Sequence, residues 1–427
     1  MNKIPHNSEK GQAIVFLVIG LVVFLGFVAM AIDGGMALAD RRHEQNAADA
    51  ASLAGGGKTA KDLEIHNKTA ADWSCSDVAF AMNNGEYAAI SRAADNNFTI
   101  SNAGGAEHNY VDATCSNTGK YIDMTVEISA TTPSNFLQLI FPDALHNEVE
   151  AVTRIYPGGG LASGNAIVAL NPDSCAGASK TGAGFRGDSD TNVTGGGIFS
   201  NGCLTGGGSG EVFVVDGAIS YNDFFGDDIF TPNAQSVYPQ QIPPESYAIP
   251  EPAVAGGQCS DPAAHNISAD DLMDLNKDPL TLDPGLWCIT GTKNLTINSS
   301  ATNPFHANGV TIYLVQDIDL TINGGASLEL TAPGDDPDPS PAIPGLVIYI
   351  PASNSANLTI NGGSDFTFTG TVLAPSTHIK INGNTTDFAL HSQVIGWDVV
   401  LSGTAMIDVT YEGGENASLP TSMELYR

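Results

Sequence analysis

The chain has 427 residues and a formal net charge of −31, from 16 basic and 47 acidic side chains. Only 15% of its residues are charged and 42% are apolar, while glycine and proline number 47 and 23. This composition is sufficient for buried cores in two or three domains and excludes wholesale disorder. Because neutralising phosphates requires clustered lysine and arginine, the charge excludes nucleic-acid binding as the main function.

An apolar segment near the N-terminus, residues 11–32, has no charged residue and only Gln12 as a strongly polar side chain. At 1.5 Å per residue, a helix of this length spans roughly 33 Å, enough to cross a bilayer. A cleaved signal peptide is the alternative, but its apolar region is usually only about 7–15 residues long. Ala-rich helical sequence also continues beyond this segment. The sequence therefore predicts a retained, single-pass membrane anchor.

Cysteines and flanking charges bear on the orientation of this anchor. Lys3 and Lys10 precede the span and Arg41 and Arg42 follow it, so local charge barely distinguishes the two sides. Disulfides form in oxidising compartments, and a distal chain with widely spaced cysteines and no CxxC motif is expected outside the cytoplasm. The six cysteines all lie beyond the span: Cys75, Cys115, Cys175, Cys203, Cys259 and Cys288. Pairing of neighbours would give 75–115, 175–203 and 259–288, with the other connectivities still open.

The residues around the span follow a distinctive order. Gly-Gln-Ala-Ile-Val at 11–15 opens the span, Asp-Gly-Gly at 33–35 closes it, and an arginine pair precedes the Gln-Asn-Ala-Ala-Asp-Ala-Ala-Ser-Leu-Ala-Gly run at 45–55. This order resembles the N-terminal module of TadG-like proteins of the Tad-type (Flp, tight adherence) pilus assembly system. The resemblance covers about residues 11–57, and it implies an uncut anchor and a role in pilus assembly.

Small residues dominate the run 45–55. A helix with such faces lets another backbone approach closely, whereas a spacer helix gains more from long charged side chains. We therefore interpret the segment as a docking helix for a second copy of the chain or for an assembly component, and a rigid Ala-rich stalk without a partner is the alternative. The proposed docking residues are Gln45, Ala47, Ala48, Ala51 and Ala54.

Residues 58–157 are predicted to form a small pilin-like α/β unit. Irregular helical spacing of apolar residues predicts a helix over 58–84, ended by Asn83-Asn84-Gly85. Alternation with period two from Ile122 onward predicts a strand with one buried face. Strand patterns and one short apolar stretch occur at 98–101, 121–129, 136–141 and 149–156. The likeness to pilins is an analogy at the level of fold and does not establish polymerisation.

A recurring unit appears after Pro157-Gly158-Gly159-Gly160, which we take as a domain boundary. Its final Asn recurs after 25, 38 and 21 residues, and the long interval contains a Pro/Asp-rich insertion at 333–344. Strands of a second type interleave with it at 310–315 and 346–350. Periods in this range are typical of stacked coils. The four copies are 294–298, 319–323, 357–361 and 378–382.

These repeats predict a parallel β-solenoid over residues 158–427, in which Leu, Ile and Val point into a common core and Asn side chains stack in hydrogen-bonded ladders. Similar coils are predicted at 166–172, 194–200 and 213–219, and a Pro-rich surface excursion at 238–255. A β-sandwich of hairpins is the alternative, because Asn-Gly is also a leading hairpin signal. The predicted fold class is therefore α+β and all-β. The predicted domains are 1–57 (cytoplasmic tip, transmembrane anchor and Ala-rich stalk), 58–157 and 158–427.

The sequence contains partial matches to catalytic, cofactor-binding and metal-binding motifs, but each lacks residues or flanking elements that the motif requires. Residues 182–187 match GxGxxG, but their flanks are not the strand and helix of a dinucleotide site. Residues 274–279 begin like a calcium loop, but Pro279 replaces the required Gly. Arg186-Gly187-Asp188 is the integrin-recognition tripeptide, but a fixed tripeptide arises by chance in roughly one chain in ten or twenty of this length. The scattered histidines lack zinc spacing. We therefore expect no enzyme, no cofactor and no metal site.

The sequence thus predicts a membrane-anchored, surface-exposed structural or assembly component of a Tad-type pilus or adhesion system. We expect it in the bacterial cell membrane, with most of the chain extracytoplasmic or extracellular. Its expected partners are the membrane, Tad/Flp assembly components or a second copy, and a surface or glycan ligand. The alternatives are a stand-alone anchored adhesin or glycan-binding β-solenoid and, less favoured, a β-helix polysaccharide-degrading enzyme, since few basic residues follow Leu161.

Overall fold

The structure is a computed structural model. It describes residues 12–66, 68, 73–102, 108–136, 145–176, 182–188, 190–334, 341–383 and 388–426. The chain forms two compact units. Unit 1 comprises Met1–Gly158 and Pro420–Arg427, and unit 2 comprises Gly159–Leu419.

The described helices and strands follow in chain order. They are α1 (Gln12–Ile65), α2 (Ala79–Asp95), β1 (Ser101–Asn102), β2 (Tyr110–Ser116), β3 (Tyr121–Thr132), β4 (Leu145–Tyr156), β5 (Gly159–Gly160), β6 (Ile167–Ala169), β7 (Gly182–Gly187), β8 (Thr191–Thr194), β9 (Ile198–Gly208), β10 (Val212–Val215), β11 (Ile219–Gly226), β12 (Phe230–Thr231), β13 (Gln235–Ser236), β14 (Val254–Ala255), β15 (Gln258–Cys259), β16 (His265–Ser268), α3 (Ala269–Leu275), β17 (Leu280–Leu282), β18 (Gly285–Thr290), β19 (Leu295–Ser299), β20 (Phe305–Ala307), β21 (Val310–Leu314), β22 (Leu320–Gly324), β23 (Ala326–Thr331), β24 (Leu346–Tyr349), β25 (Asn357–Asn361), β26 (Ser364–Thr369), β27 (Thr371–Gly383), β28 (Phe388–Leu390), β29 (Val394–Gly403), β30 (Ile407–Thr410), β31 (Ser418–Leu419) and β32 (Ser422–Leu425).

Unit 1 is a sheet of order β1-β2-β3-β4-β32 packed against α1 and α2. The pairs β2–β3, β3–β4 and β4–β32 are antiparallel. The alternation predicted for β3 is confirmed, because Ile122, Met124 and Val126 are fully buried against the helices. The predicted strand 149–156 is also present, within the longer β4. Of the predicted apolar stretch 136–141, the residues from 137 onward lie outside the described residues.

The predicted helix 58–84 differs from the structure. α1 ends at Ile65, and α2 begins at Ala79 and runs through the predicted stop at residues 83–85. A Cβ on Gly85 would lie 2.9 Å from the carbonyl oxygen of Gly55, so the glycine allows the two helices to approach closely. Tertiary packing therefore overrides the local turn preference of Asn-Asn-Gly.

The division into units differs from two predicted domain limits. The predicted limit at residue 57 falls inside α1, which is continuous from Gln12 to Ile65, and the core of unit 1 includes residues on both sides of that limit, such as Ala51 and Leu63. At the other end, β32 pairs with β4, so residues 420–427 lie in unit 1 and not in the predicted domain 158–427. Neither feature has a local sequence signal, because both depend on long-range packing.

Unit 2 is rich in strands, and the four predicted repeats lie side by side in it. Leu295 pairs with Leu320, Leu320 with Leu358, and Leu358 with Ile379, all in parallel register. These side chains are at most 2% exposed and belong to the main core of the unit. The predicted alignment of the repeats is therefore confirmed.

The order of strands along the main sheet of unit 2 does not follow the chain. The path runs β16, β18, β21, β24, β27, β29 and then returns to β6, β9, β11 and β13. Val394 of β29 pairs in parallel with Ile167 of β6, so the first strand of this sheet lies beside its last. The predicted excursion 238–255 lies between β13 and β16, which are the two ends of this path.

Candidate functional site

The apolar span and the Asp-Gly-Gly motif form the first part of α1. By length and composition, α1 is the one helix within the described residues that could cross a membrane, and its most apolar stretch is entirely exposed. Asp33 is 1% exposed, and its carboxylate accepts hydrogen bonds from the backbone N–H groups of Asn135 (3.1 Å) and Phe136 (2.9 Å). Asp33 thereby ties the end of the span to the segment that follows β3.

The face proposed for docking lies mostly inside unit 1. Ala47, Ala48 and Ala51 are at most 1% exposed and belong to the unit's own core, and Ala54 is half-buried. Half-buried Gln45 donates from Nε2 to Asp49 Oδ1 (2.8 Å) and, at 3.4 Å, to a backbone carbonyl of β4. The prediction of an exposed docking surface is therefore corrected: the backbone that approaches these alanines belongs to the same chain.

Glycines extend this small face to the end of the module. A Cβ on Gly55 would lie 2.9 Å from Met124 Cγ, and one on Gly56 would lie 2.6 Å from Thr153 Cγ2. Buried Thr59 donates from its hydroxyl to the carbonyl oxygen of Gly55 in its own helix (2.9 Å) and, across to α2, to that of Ala81 (3.2 Å). The small residues thus set the spacing between α1, α2 and the sheet.

A buried carboxylate lies on the same helix. Glu44 is 2% exposed, and its Oε2 has no hydrogen-bond partner among the described residues. Burial raises the pKa of Glu44 above its usual value, against the opposing effect of a hydrogen bond with Asn147. The helix therefore contains an acid whose ionisation is unfavourable in the folded chain.

All six cysteines form disulfides between neighbours in sequence. The pairs are Cys75–Cys115 in unit 1 and Cys175–Cys203 and Cys259–Cys288 in unit 2. This is the neighbour pairing that the spacing offered as one of several connectivities. Cys203 and Cys288 are fully buried in unit 2.

Two columns of polar side chains cross the outward face of the repeats in unit 2. In the first, Asn323 donates to Asn298 (2.8 Å), Asn361 to Asn323 (2.7 Å), and Asn382 to Asn361 (2.6 Å). The hydroxyl of Ser402 then donates to Asn382 (2.8 Å). The predicted asparagine ladder is therefore confirmed.

The second column joins the residues that open each repeat. Asn294 donates to Asp319 (3.0 Å), and Asn357 donates to the same carboxylate (3.0 Å). His378 and Asp398 continue the column in register beyond Asn357. The polar opening residues are thus Asn294, Asp319 and Asn357 on one side of the sheet, and they change to His378 and Asp398 on the other.

A groove of about 1010 Å³ lies where this change occurs. It crosses six neighbouring strands, in the order β25, β27, β29, β7, β9 and β11. At about 4.8 Å between strands this is roughly 24 Å in length. Its basic and acidic lining residues are Arg186, His378, Lys380 and Asp398. Phe225 and the hydroxyls of Thr205 and Thr359 are also part of the lining.

The carboxylate of Asp398, which lines the groove, is held by a hydrogen bond from a buried asparagine. Asp398 is 4% exposed, and its Oδ1 accepts a hydrogen bond from Asn171 Nδ2 (3.0 Å). Its other oxygen, Oδ2, lies 2.5 Å from Nδ1 of His378. The angle of this contact is not that of a regular hydrogen bond, and Oδ2 has no other hydrogen bond among the described residues. Because Nδ1 faces the carboxylate, Nε2 is the ring nitrogen of His378 available to a ligand.

Sequence reasoning did not find this groove. The GxGxxG match at residues 182–187 was rejected for its flanks, and Arg186-Gly187-Asp188 was interpreted as a chance tripeptide. Arg186 and Gly187, which belong to both motifs, line the groove from β7. Gly187 pairs in register with Gly208 and Gly403, and a Cβ on Gly208 would lie 2.0 Å from the Gly187 carbonyl oxygen. One signal was present: the fourth repeat, 378–382, has His and Lys where the third has Asn and Thr.

The described residues of unit 1 contain one further cluster of titratable groups. The ligand atoms of His108, Glu127 and Glu148 lie within 4.8 Å of one another, with His108 Nδ1 3.1 Å from Glu127 Oε1. His108 and Glu148 are exposed, and exposed ion pairs of this kind are common without a metal. We assign the cluster to ion pairing at the sheet.

The comparison with protein families identifies only the N-terminal module. Residues 11–61 match the family model described as putative Flp pilus-assembly TadE/G-like. No curated protein and no solved structure matches the chain significantly. The match covers the span, the Asp-Gly-Gly motif and the small face of α1, so the resemblance seen in the sequence is confirmed for that module.

Proposed function

We propose that the protein is an envelope component of a Tad-type pilus system, anchored in the bacterial cell membrane by the first part of α1. The observation that supports this proposal is the TadE/G-like match over residues 11–61. It coincides with a single helix that exposes its apolar residues at the start and is packed into unit 1 further on. Such a helix joins an anchor to a folded domain without a linker.

Membrane insertion explains the exposed apolar side chains of the span. Phe16, Phe24 and Phe27 are each more than 65% exposed, an arrangement that is unfavourable in water for so many neighbouring residues. A bilayer would remove this surface from water, at about 25 cal/mol per Å² of apolar area. The protein is therefore single-pass in this proposal, with Asp33 near the membrane surface.

The three disulfides support a location of the distal chain outside the cytoplasm. They lie in both units, so both would be in an oxidising compartment. Each closes a loop of about 30–40 residues, which stabilises the fold by roughly 3–4 kcal/mol in the chain-entropy model. A chain that relies on these bridges is suited to the envelope or the cell surface.

We further propose that unit 2 is a parallel β-solenoid that serves display and not catalysis. Its support is the parallel, in-register pairing of strands separated by about one repeat, with stacked leucine and asparagine columns. A sandwich of hairpins would pair consecutive strands antiparallel. A second candidate function is a stand-alone adhesin or glycan-binding module. The single observation that favours it is the groove in unit 2.

A complementation experiment in the source cells tests the pilus assignment. A strain that lacks the chain should lose surface Flp pili and adherence, and the full-length chain should restore both. The control replaces residues 1–32 by a cleavable signal peptide, so that both units are exported without an anchor. Restoration by this exported form would contradict an anchored role, and normal piliation without the chain would contradict the pilus assignment.

Topology is tested separately by protease treatment of intact cells, with the outer membrane opened if one is present. Everything after Arg42 should be digested, and non-reducing peptide mapping should recover the Cys259–Cys288 bridge. A protected C-terminal region with free thiols would place the chain in the cytoplasm. Intact-mass measurement of the purified chain distinguishes a retained span from a cleaved leader.

A further inference from the structure

We propose that the groove across β25, β27, β29, β7, β9 and β11 binds a carboxylate-bearing oligosaccharide, an extended chain of uronate sugars. This inference goes beyond the pilus assignment and does not depend on it. It assigns a ligand class to the cations Arg186 and Lys380 and to the neighbouring His378. The charge of the groove, its shape and the types of side chain that line it all favour such a ligand.

The positive charge of the groove is unusual in this protein. The chain has a net charge of −31, and the basic residues described in unit 2 are Arg186, Lys277, Lys293 and Lys380. Two of these four, Arg186 and Lys380, line the groove, and both are exposed. The other two, Lys277 and Lys293, lie outside the groove. Cations concentrated in one groove of an acidic protein favour an anionic ligand.

The lining matches a sugar better than a peptide. Every strand under the groove is already paired on both sides, except at β11, where pairing to β13 covers only two residues. A peptide could therefore add as a strand, the usual mode for extended peptides on sheets, only at the β11 end and not along the rest of the groove. A ligand must be held by side chains: the hydroxyls of Thr205 and Thr359, the amide of Asn357 and the ring of Phe225.

Missing side chains create the hollow. Gly207 occupies a position on the outward face in the row of Arg186 and the asparagine ladder, whereas Thr205, Val400 and Arg186 already fill the space above Gly184. A Cβ on Gly207 would have no atom within 4 Å. The groove thus has a floor of backbone on which a flat pyranose ring can lie, between the cations at Arg186 and Lys380.

The ion pair of His378 and Asp398 positions the ring at the edge of this floor. Asp398 is buried and fixed by Asn171, so its carboxylate cannot move to a ligand. It orients His378 through Nδ1 at 2.5 Å and directs Nε2 toward ligand hydroxyls. Arg186 offers a planar fork that suits a carboxylate, and Lys380 offers a point charge.

Binding of labelled oligogalacturonate and oligoalginate to the full-length protein in detergent micelles tests the proposal. Fluorescence anisotropy should show saturable binding of at least one of the two, weakened by added NaCl. Replacing both cations, Arg186→Gln with Lys380→Gln, should raise Kd by about tenfold or more. The matched control, Lys277→Gln with Lys293→Gln, removes the same charge and should leave Kd unchanged. Absence of binding of both probes to the wild-type chain would overturn the proposal.

A second variant tests the shape of the groove separately from its charge. Gly207→Trp fills the groove from a position with open space above it, and it should abolish binding while hydrogen exchange shows unit 2 still folded. Methyl-esterified oligogalacturonate should bind at least about tenfold more weakly than the acid form, since it lacks the carboxylates. Equal binding of the ester, or equally tight binding of polyglutamate, would overturn the uronate assignment, and release of shortened chains would indicate an enzyme instead.

Discussion

Unit 1 and unit 2 use strands in opposite ways. In unit 1 antiparallel neighbours such as β3 and β4 bury one face under α1 and α2, and glycines such as Gly55 and Gly85 set how closely these layers meet. In unit 2 parallel strands repeat the same side chain at the same place, so Leu358 lies between Leu320 and Ile379. The packing of unit 1 depends on a few close contacts between backbones, whereas the stability of unit 2 is distributed over columns of stacked side chains.

This difference predicts how each unit responds to substitution. In a column, every member has equivalent neighbours, so the cost of a change should depend on its position within the column. At a helix crossing, one added methyl group has no space, so the cost should depend on a single contact distance. Substitutions in each unit test this contrast. Hydrogen-exchange mass spectrometry of the full-length chain in denaturant measures the stability of each unit separately.

The largest effect is expected at the centre of the leucine column. Leu358→Ala leaves a cavity between Leu320 and Ile379 and should lower the free energy of unfolding of unit 2 by about 2–5 kcal/mol. The neighbouring Thr359→Ala, on the outward face, serves as the control and should cost less than about 1 kcal/mol. Equal costs for the two variants would mean that the buried column does not hold the repeats together.

A smaller effect is expected at the helix crossing in unit 1. Gly85→Ala places a Cβ 2.1 Å from Thr59 Oγ1 and 2.9 Å from the Gly55 carbonyl oxygen. Overpacking of this kind costs about 1–3 kcal/mol, despite the higher helix propensity of alanine. Gly57→Ala on α1 is the matched control, since its Cβ would meet only Met423 at 3.8 Å. Stabilisation of unit 1 by Gly85→Ala would refute a close crossing.

The asparagine ladder should respond by position. Asn361→Ala removes two ladder bonds, to Asn323 and from Asn382, whereas Asn298→Ala at the end removes one. At about 0.5–1.5 kcal/mol per bond, the inner variant should cost about twice as much as the outer one. An equal loss at both positions would show that the ladder bonds contribute little.

The smallest effect, and one of opposite sign, concerns Glu44 in unit 1. Burial raises its pKa, so the folded chain binds this proton more tightly than the unfolded chain does. The ionised group therefore destabilises unit 1 at neutral pH, and this cost disappears as the pH falls through the folded-state pKa. Glu44→Gln should raise the melting temperature at pH 7, with a difference that narrows toward acidic pH. A constant difference across pH would contradict a buried, titrating Glu44.

Local patterns were sufficient for several features. The alternation from Ile122 predicted β3, the repeat of Leu-Thr-Ile-Asn predicted the register of β19, β22 and β25, and the cysteine spacing offered the observed pairing among its alternatives. Each of these depends on residues close in sequence or on identical motifs. Periodicity is visible in a sequence because it does not require knowledge of the partner.

The misses all involve a distant partner. The small face of α1 indicated a close neighbour, and the sequence could not show that the neighbour was the chain's own α2 and sheet. The stop predicted at Gly85 failed for the same reason. The groove was missed because Arg186 and Lys380, nearly 200 residues apart, come to line one groove only when β29 pairs with β27 on one side and with β7 on the other.

The amino-acid sequence by itself therefore determined the apolar span, the TadE/G-like module, the repeat and the inward positions of its leucines. Helical length, hydropathy and period are properties of short segments, and they hold wherever the segment lies. Only the tertiary structure decided that the small face of α1 is covered by its own unit, that β32 returns to β4, and that the strands of unit 2 continue from β29 to β6. These features depend on free energies of packing between distant segments, for which no local pattern exists.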